Sequence, residues 1–249
     1  MQNNFDTDKN GILSGTEIKS VTSIDVGSSH ITSLQGVEYF TALQYLVCYS
    51  NQLTKLDVSK NTALQHLDCR GNQLTELDMS KNTALQTLYC GGNQLIKLDV
   101  SKNTALQTLD CQNNHLMKLD VSKNTALQYL DCSSNKLKLD VSKNTALKVL
   151  HCDYNKLTEL DVSKNTALQH LDCRGNLLTE LDLSNCPKLN SNNVRCDDSV
   201  NITWPSTASA SSVSSNASAG TSTDDSPGCN ASMFGIVILF AGVIFARKH

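Results

Sequence analysis

Large aromatic side chains are scarce in this sequence. Its 249 residues include 5 Phe and 1 Trp. A core built around large rings is therefore excluded, and aliphatic side chains must do nearly all the packing. Cysteine, at 10 residues, is too sparse for a small disulfide scaffold. Charge of one sign is also lacking: the net charge is −3, which leaves no basic footprint and argues against a nucleic-acid partner. A hydrophobic content of 39% is too low for a multispan membrane protein. The opening residues Met1–Phe5 offer neither a basic n-region nor an apolar h-region, so the sequence shows no export signal.

What remains is an aliphatic, Asn-rich chain with 34 leucines and evenly spaced cysteines. Cys48, Cys69, Cys90, Cys111, Cys132, Cys152 and Cys173 follow one another at intervals of 21 residues, with a single interval of 20. A fixed period of this size signals a solenoid or array. The unit reads T-A-L-Q-x-L-x-C-x-x-N-x-L-T-x-L-D-V-S-K-N, and seven copies fill residues 41–186. The fifth has lost one residue, at Asn135-Lys136-Leu137-Lys138. Around Leu46-Val47-Cys48 apolar residues alternate, the pattern of a short strand with one buried face. One unit cannot bury its leucines alone, whereas stacked units share a continuous core.

The unit's centre, L-x-x-L-x-C-x-x-N-x-L, resembles the leucine-rich repeat, with Cys at the third aliphatic position. Leu43, Leu46, Cys48, Asn51 and Leu53 carry the match in the first copy. The resemblance implies a strand-rich α/β-type repeat fold, a right-handed solenoid with a parallel sheet on one face. Twenty-one residues per coil leave little room for a helix, so extended or 3₁₀ segments are expected on the other face. A preceding degenerate repeat spans 20–40, where Val21, Ile24, Val26, Ile31 and Leu34 align with Leu43, Leu46, Cys48, Leu53 and Leu56.

Three columns repeat along the stack. The asparagines Asn51 to Asn176 are expected to satisfy inward-facing backbone groups, since an amide both donates and accepts. The cysteines form a row, not the tetrahedral cage that zinc needs. They read as buried free thiols acting as small hydrophobes. The aspartates Asp57 to Asp182 read as turn caps.

Positions that vary between copies are where a partner can be read. On the outward strand face these include Tyr45, His66, Asp68, Arg70, Tyr89, Asp110, Tyr129, Asp131, His151, His170, Asp172 and Arg174. Such a mixture suits contact with a protein or glycan ligand. No Ser or Cys nucleophile accompanies His151 on that face, so no catalytic residue is assigned and the chain reads as non-enzymatic.

The N-terminal segment Asp6–Glu17 matches a calcium loop of the EF-hand type. Asp6, Asp8 and Asn10 take positions 1, 3 and 5, and Gly11 supplies the sharp turn. The Ile12 carbonyl, Ser14 and Glu17 complete the ligand set. Calcium is expected to act structurally, in a cap over residues 1–19. The competing reading is an Asp/Asn/Gly turn that caps a short helix.

Past residue 186 the repeat decays into a cap at 187–205, where Trp204 is expected to close the last coil. Cys186 and Cys196 either pair in an oxidising compartment or remain free. Residues 206–228 are rich in Ser and Thr, which reads as a flexible or glycosylated stalk. Residues 229–249 hold the apolar run Met233–Ala246 ahead of Arg247-Lys248-His249. Together with Gly228-Cys229-Asn230-Ala231, this layout resembles bacterial sorting tails of the Synerg-CTERM class. The resemblance implies membrane association through the tail, with Gly228 and Cys229 in the processing motif and the repeats facing outward. An outward solenoid needs an export signal, so the reading expects further chain upstream of Met1. The functional expectation is a cell-surface repeat module that binds protein or glycan ligands. A ligand-free surface spacer and an accessory module of a surface hydrolase are the alternatives.

Overall fold

The structure, a computed structural model, describes residues 5–206. Among the described residues helix is confined to α1 (Gly15–Ser20) and a single 3₁₀ turn at Val37–Tyr39. The strands are β1 (Ser23–Asp25), β2 (Tyr45–Val47), β3 (His66–Asp68), β4 (Thr87–Tyr89), β5 (Thr108–Asp110), β6 (Tyr129–Asp131), β7 (Val149–His151), β8 (His170–Asp172), β9 (Glu180–Asp182), β10 (Val194–Arg195) and β11 (Asn201–Thr203). Nine of them form one sheet in the order β1-β2-β3-β4-β5-β6-β7-β8-β10, and β11 pairs with β9. Every pair is parallel and in register by repeat position, so Leu46, Leu67 and Leu88 stack on one another. The degenerate repeat joins as expected, with Ile24 beside Leu46. The fold is thus a parallel-sheet solenoid of about nine turns with little helix.

Each strand is short because its alternation soon ends. The central Leu points inward, its two neighbours point outward, and the following Cys points inward again. Two residues later the backbone enters the left-handed region in every complete repeat, at Ser50, Gly71, Gly92, Asn113, Ser134, Tyr154 and Gly175. That turn takes the chain out of the sheet and brings the ladder asparagine inward.

Asn114 shows how the ladder works. Its amide donates to the carbonyls of Cys90 and Cys111, both at 3.1 Å, and its Oδ1 accepts the Leu95 N–H at 3.0 Å. One side chain therefore ties two adjacent coils together. Losing such a buried bond costs about 1–3 kcal/mol.

On the far side a second ladder appears. Asn61, Asn82, Asn103, Asn124, Asn144 and Asn165 are fully buried. The Asn103 amide donates to Met79 and Asn82 carbonyls at 3.0 and 2.8 Å. The Oδ1 atom of each of these six residues has no hydrogen-bond partner. Tight turns flank the ladder: the Asn103 N–H donates to Val100 O and the Leu106 N–H to Asn103 O. These are i→i+3 bonds of the 3₁₀ type. All seven aspartates from Asp57 to Asp182 cap the N–H two residues ahead, at 2.8–2.9 Å. Bonding by the serine at that position, through its N–H and its side chain, the side chain first at Asp120 and Asp161, holds each of these carboxyls below the usual carboxylate range.

The seven repeat cysteines are buried free thiols within the leucine core. Burial raises their pKa, to about 12 at Cys48 and Cys173, so they stay protonated and unreactive. Cys186 and Cys196 do not pair; both are free. They sit in different columns. Cys186 occupies the second Asn slot, with Sγ 3.5 Å from Val162 O and 3.7 Å from Asn165 O. Cys196 follows the β10 residue that pairs with Asp172, and so extends the cysteine row beside Cys173. Val200, Ile202 and Trp204 pack on the C-terminal end of the core. At the other end Leu13 and Ile18 pack against it, and Phe5 meets Phe40 at 6.0 Å between ring centroids.

Candidate functional site

The outward strand face is less open than the sequence implies. Asp68, Asp110, Asp131 and Asp172, expected as exposed contact residues, are only 4–8% exposed. The physical reason is local bonding. Each carboxylate turns along its own strand to accept the N–H two residues ahead, at 3.1–3.3 Å. What stands proud is the ring and guanidinium layer around them.

In the N-terminal half, Tyr45 stacks on His66 at 5.9 Å, and His66 meets Tyr89 edge-on at 5.7 Å. Arg70 lies over the Tyr89 ring at 4.6 Å, a cation–π distance. The same Arg70 grips Asp68 through two bonds, Nε to Oδ1 at 2.9 Å and Nη2 to Oδ2 at 2.6 Å. Burial pushes the His66 imidazole towards its neutral form. Arg174 and Asp172 repeat the clamp with the same two distances. His170 stands exposed at the first position of β8.

The middle of the face differs. Asp110 meets only Gln112, whose side chain donates at 3.3 Å. Asp131 accepts the Ser133 hydroxyl at 2.7 Å and lies 3.6 Å from His151 Nδ1. That contact raises the pKa of His151. A serine thus does share this stretch of the face with His151, contrary to the sequence expectation, but its hydroxyl donates to the carboxylate and not to the imidazole. Burial, followed by the charge of neighbouring Asp131, raises the Asp110 carboxyl to about 6. Tyr129 meets His151 edge-on at 5.8 Å.

The N-terminal loop holds the other candidate site. Oxygen atoms of Asp6, Asp8 and Glu17 lie within 4.8 Å of one another, the one such group found among the described residues. Glu17 also caps α1. Its Oε2 accepts the Ser14 N–H at 2.9 Å, and the Ser14 hydroxyl accepts the Glu17 N–H at 3.2 Å. Glu17 Oε1 accepts the Thr7 N–H and hydroxyl at 2.6 and 2.7 Å. These bonds, the Thr7 hydroxyl first, hold Glu17 down to about 2. Asn10 Oδ1 accepts the Ile12 N–H at 2.8 Å, and its amide donates to Asp8 at 2.8 Å. Asn10, Ile12 and Ser14 thus serve the turn and the helix cap, while the three carboxylates converge. Gly228 and Cys229 lie outside the described residues.

Sequence reasoning missed the Asp–Arg clamps, although Asp68-Cys69-Arg70 and Asp172-Cys173-Arg174 share a D-x-R pattern that puts both side chains on one face. It also missed the second Asn ladder, whose signal was the unvarying Asn ending each repeat.

A model of leucine-rich repeats, in two copies, matches residues 62–103. No curated protein sequence is significantly similar to the chain. Among solved structures, the chain is similar to the functional domain of InlJ from Listeria monocytogenes, described as including a cysteine ladder. Identity is 37% and the TM-score 0.61 over 75% of this chain and 46% of that one, so the chain spans about half its length. A leucine-rich-repeat protein of Leptospira interrogans matches at 25% identity and a TM-score of 0.67, over 76% of this chain and 53% of that one. The ectodomain of the Arabidopsis thaliana receptor kinase GASSHO1/SCHENGEN3, solved in complex with Casparian strip integrity factor 2, shares the fold. It matches at 20% identity and a TM-score of 0.65, over 77% of this chain and 25% of that one. The chain carries leucine-rich repeats and folds as a leucine-rich-repeat solenoid.

Proposed function

We propose that this solenoid is a non-enzymatic binding module that engages a protein ligand through its outward strand face. Solenoids present extended surfaces of this kind to their partners. The observation that carries the reading is the interlocked run Tyr45–His66–Tyr89 with Arg70 over Tyr89. Tyr and Arg dominate binding hot spots, and rings already held in place lose little conformational freedom on binding. Nothing in the leucine core needs them there.

The test is to probe the whole chain against protein and glycan arrays, then repeat with Tyr45→Ser and Tyr89→Ser together. A specific hit, lost in the variant while the melting temperature holds, supports the reading. A glycan hit would redirect it to carbohydrate. No hit on either array, or a hit the variant leaves unchanged, favours a structural spacer.

The same proposal places the module at the cell surface, tethered by the tail at 229–249. Among the described residues no helix is long and apolar enough to cross a membrane. The anchoring role rests on the Met233–Ala246 run and the basic end. Fractionation of cells expressing the chain with and without residues 229–249 checks it: the full chain should follow the membrane or wall and the shortened chain should not.

Calcium belongs to the proposal as a structural ion. The hard, all-oxygen donor set of Asp6, Asp8 and Glu17 suits it. A bound cation would neutralise three converging carboxylates and firm the cap over the leucine core. Calorimetric titration of the whole chain with calcium should give saturable heat and a higher melting temperature. Absence of both would leave Glu17 as a helix cap alone.

A further inference from the structure

The face proposed above as the binding surface has an internal asymmetry that describes its partner. In the second and seventh repeats the buried strand-face aspartate is gripped by an arginine two residues ahead. The geometry is the same both times, with bonds of 2.9 and 2.6 Å. These clamps show what the position holds best: a planar guanidinium meeting both carboxylate oxygens. In the fourth and fifth repeats the same aspartates, Asp110 and Asp131, are buried to a similar depth, at 4% and 6% exposed. The residues two ahead are Gln112 and Ser133, which bring no charge.

Three further observations bear on this place. Asp110 and Asp131 are register partners on adjacent strands, so about 4.8 Å separates their backbones. Burial first, and then the charge of Asp131, raises the Asp110 carboxyl. Beside them the third repeat has Gly91 where an arginine stands at 70. A Cβ added there would come within 2.9 Å of both Asp110 Oδ1 and Gln112 Cγ, so glycine at 91 keeps a third side chain from crowding that oxygen beside Gln112. Finally, no third carboxylate joins the pair closely enough to form a metal cluster; among the described residues that occurs only at Asp6, Asp8 and Glu17.

We infer that Asp110 and Asp131 form the seat for an arginine side chain of the protein partner, supplying from outside the guanidinium that Arg70 and Arg174 supply from within. The rings of Tyr89 and Tyr129 flank the seat at the outward positions of neighbouring strands. His151 faces Asp131, and the charge of Arg70 reaches Asp110 from across the sheet. Arg70 is already bound to Asp68, however, and makes no bond to Asp110, whose side-chain partner is the neutral Gln112.

This inference rests on the strand face being the binding surface, and its test separates the two. Acetyl-Gly-Arg-Gly-amide is titrated into the whole chain while backbone amide shifts are followed by NMR. The neutral citrulline peptide, of nearly the same shape, serves as control. Saturable shifts at Gln112 and Ser133, at least about tenfold weaker with citrulline, support the seat. The variant Gln112→Arg/Ser133→Arg fills the seat from within and should abolish those shifts without lowering the melting temperature. Should that variant not fold, Asp110→Asn/Asp131→Asn, of matching shape, should lose them as well. Equal shifts with both peptides, shifts that survive in the variants, or shifts elsewhere only, would overturn the inference. If the peptide fails while an array-identified protein still binds at Tyr45 and Tyr89, the arginine seat falls and the binding face stands. If both fail, both fall.

Discussion

Asn114 and Asp110 stand four residues apart in one repeat and are buried alike, at 5% and 4% exposed. Their partners differ in kind. Asn114 bonds only to backbone, and its counterparts from Asn72 to Asn176 do the same. Asp110 relies beyond its own turn on a side chain from the outward third column, which changes from repeat to repeat: Arg70, Gln112, Ser133, Arg174. A polar residue that answers to the backbone is repeated because every coil has the same backbone. One that answers to the surface varies, and the variation sets the charge offered to a partner.

The comparison can be pressed hardest at the asparagine. Asn114→Ala removes the ties to Cys90, Cys111 and Leu95 and leaves buried backbone groups unmade, so unfolding in denaturant should show a loss of roughly 3–5 kcal/mol. Asn103→Ala in the second ladder should cost less, about 1–3 kcal/mol, because it also deletes an orphaned oxygen. Equal losses would mean that the unpartnered Oδ1 atoms carry no penalty.

Asp110→Asn should move stability the other way. The folded carboxyl, at about 6 against an ordinary 3.8, resists ionisation. Its cost is therefore absent below pH 4, grows between 4 and 6, and is fully present above. The variant should gain on the order of 2 kcal/mol at pH 7 and nothing at pH 3.5, read from paired denaturation curves. The smallest expected effect is at the left-handed turn. Ser134 has a φ of 52°, and Ser134→Gly should stabilise by about 0.5–1 kcal/mol, as glycine meets no Cβ penalty there.

Most of the fold was legible because it is carried by spacing. The Cys48–Cys173 interval dictates register, and the unvarying Leu, Asn and Asp residues name their own roles: core, inner ladder and turn cap. The second ladder was harder to read. Asn61 and its counterparts end the repeat beside Ser and Lys, and nothing local distinguishes an inward amide from a surface one. The outward face was read only in part. Alternation along three-residue strands puts Asp68 and Asp110 outside, which is right for direction and wrong for burial, since each carboxylate turns back to its own chain. The mispairing considered for Cys186 and Cys196 has the same origin. Both follow the strand of the seventh repeat, β8, in sequence, yet Cys186 belongs to the far-side ladder and Cys196 to the core row.

Hydrogen-exchange footprinting of the whole chain, with and without a protein partner drawn from the array, tests the division between repeated scaffold and variable face most directly. The account predicts added protection confined to the outward strands and the turns that follow them between residues 45 and 133, with the far-side turns at Asp57–Asp182 unchanged. Protection centred on those turns, or spread evenly along the stack, would contradict it.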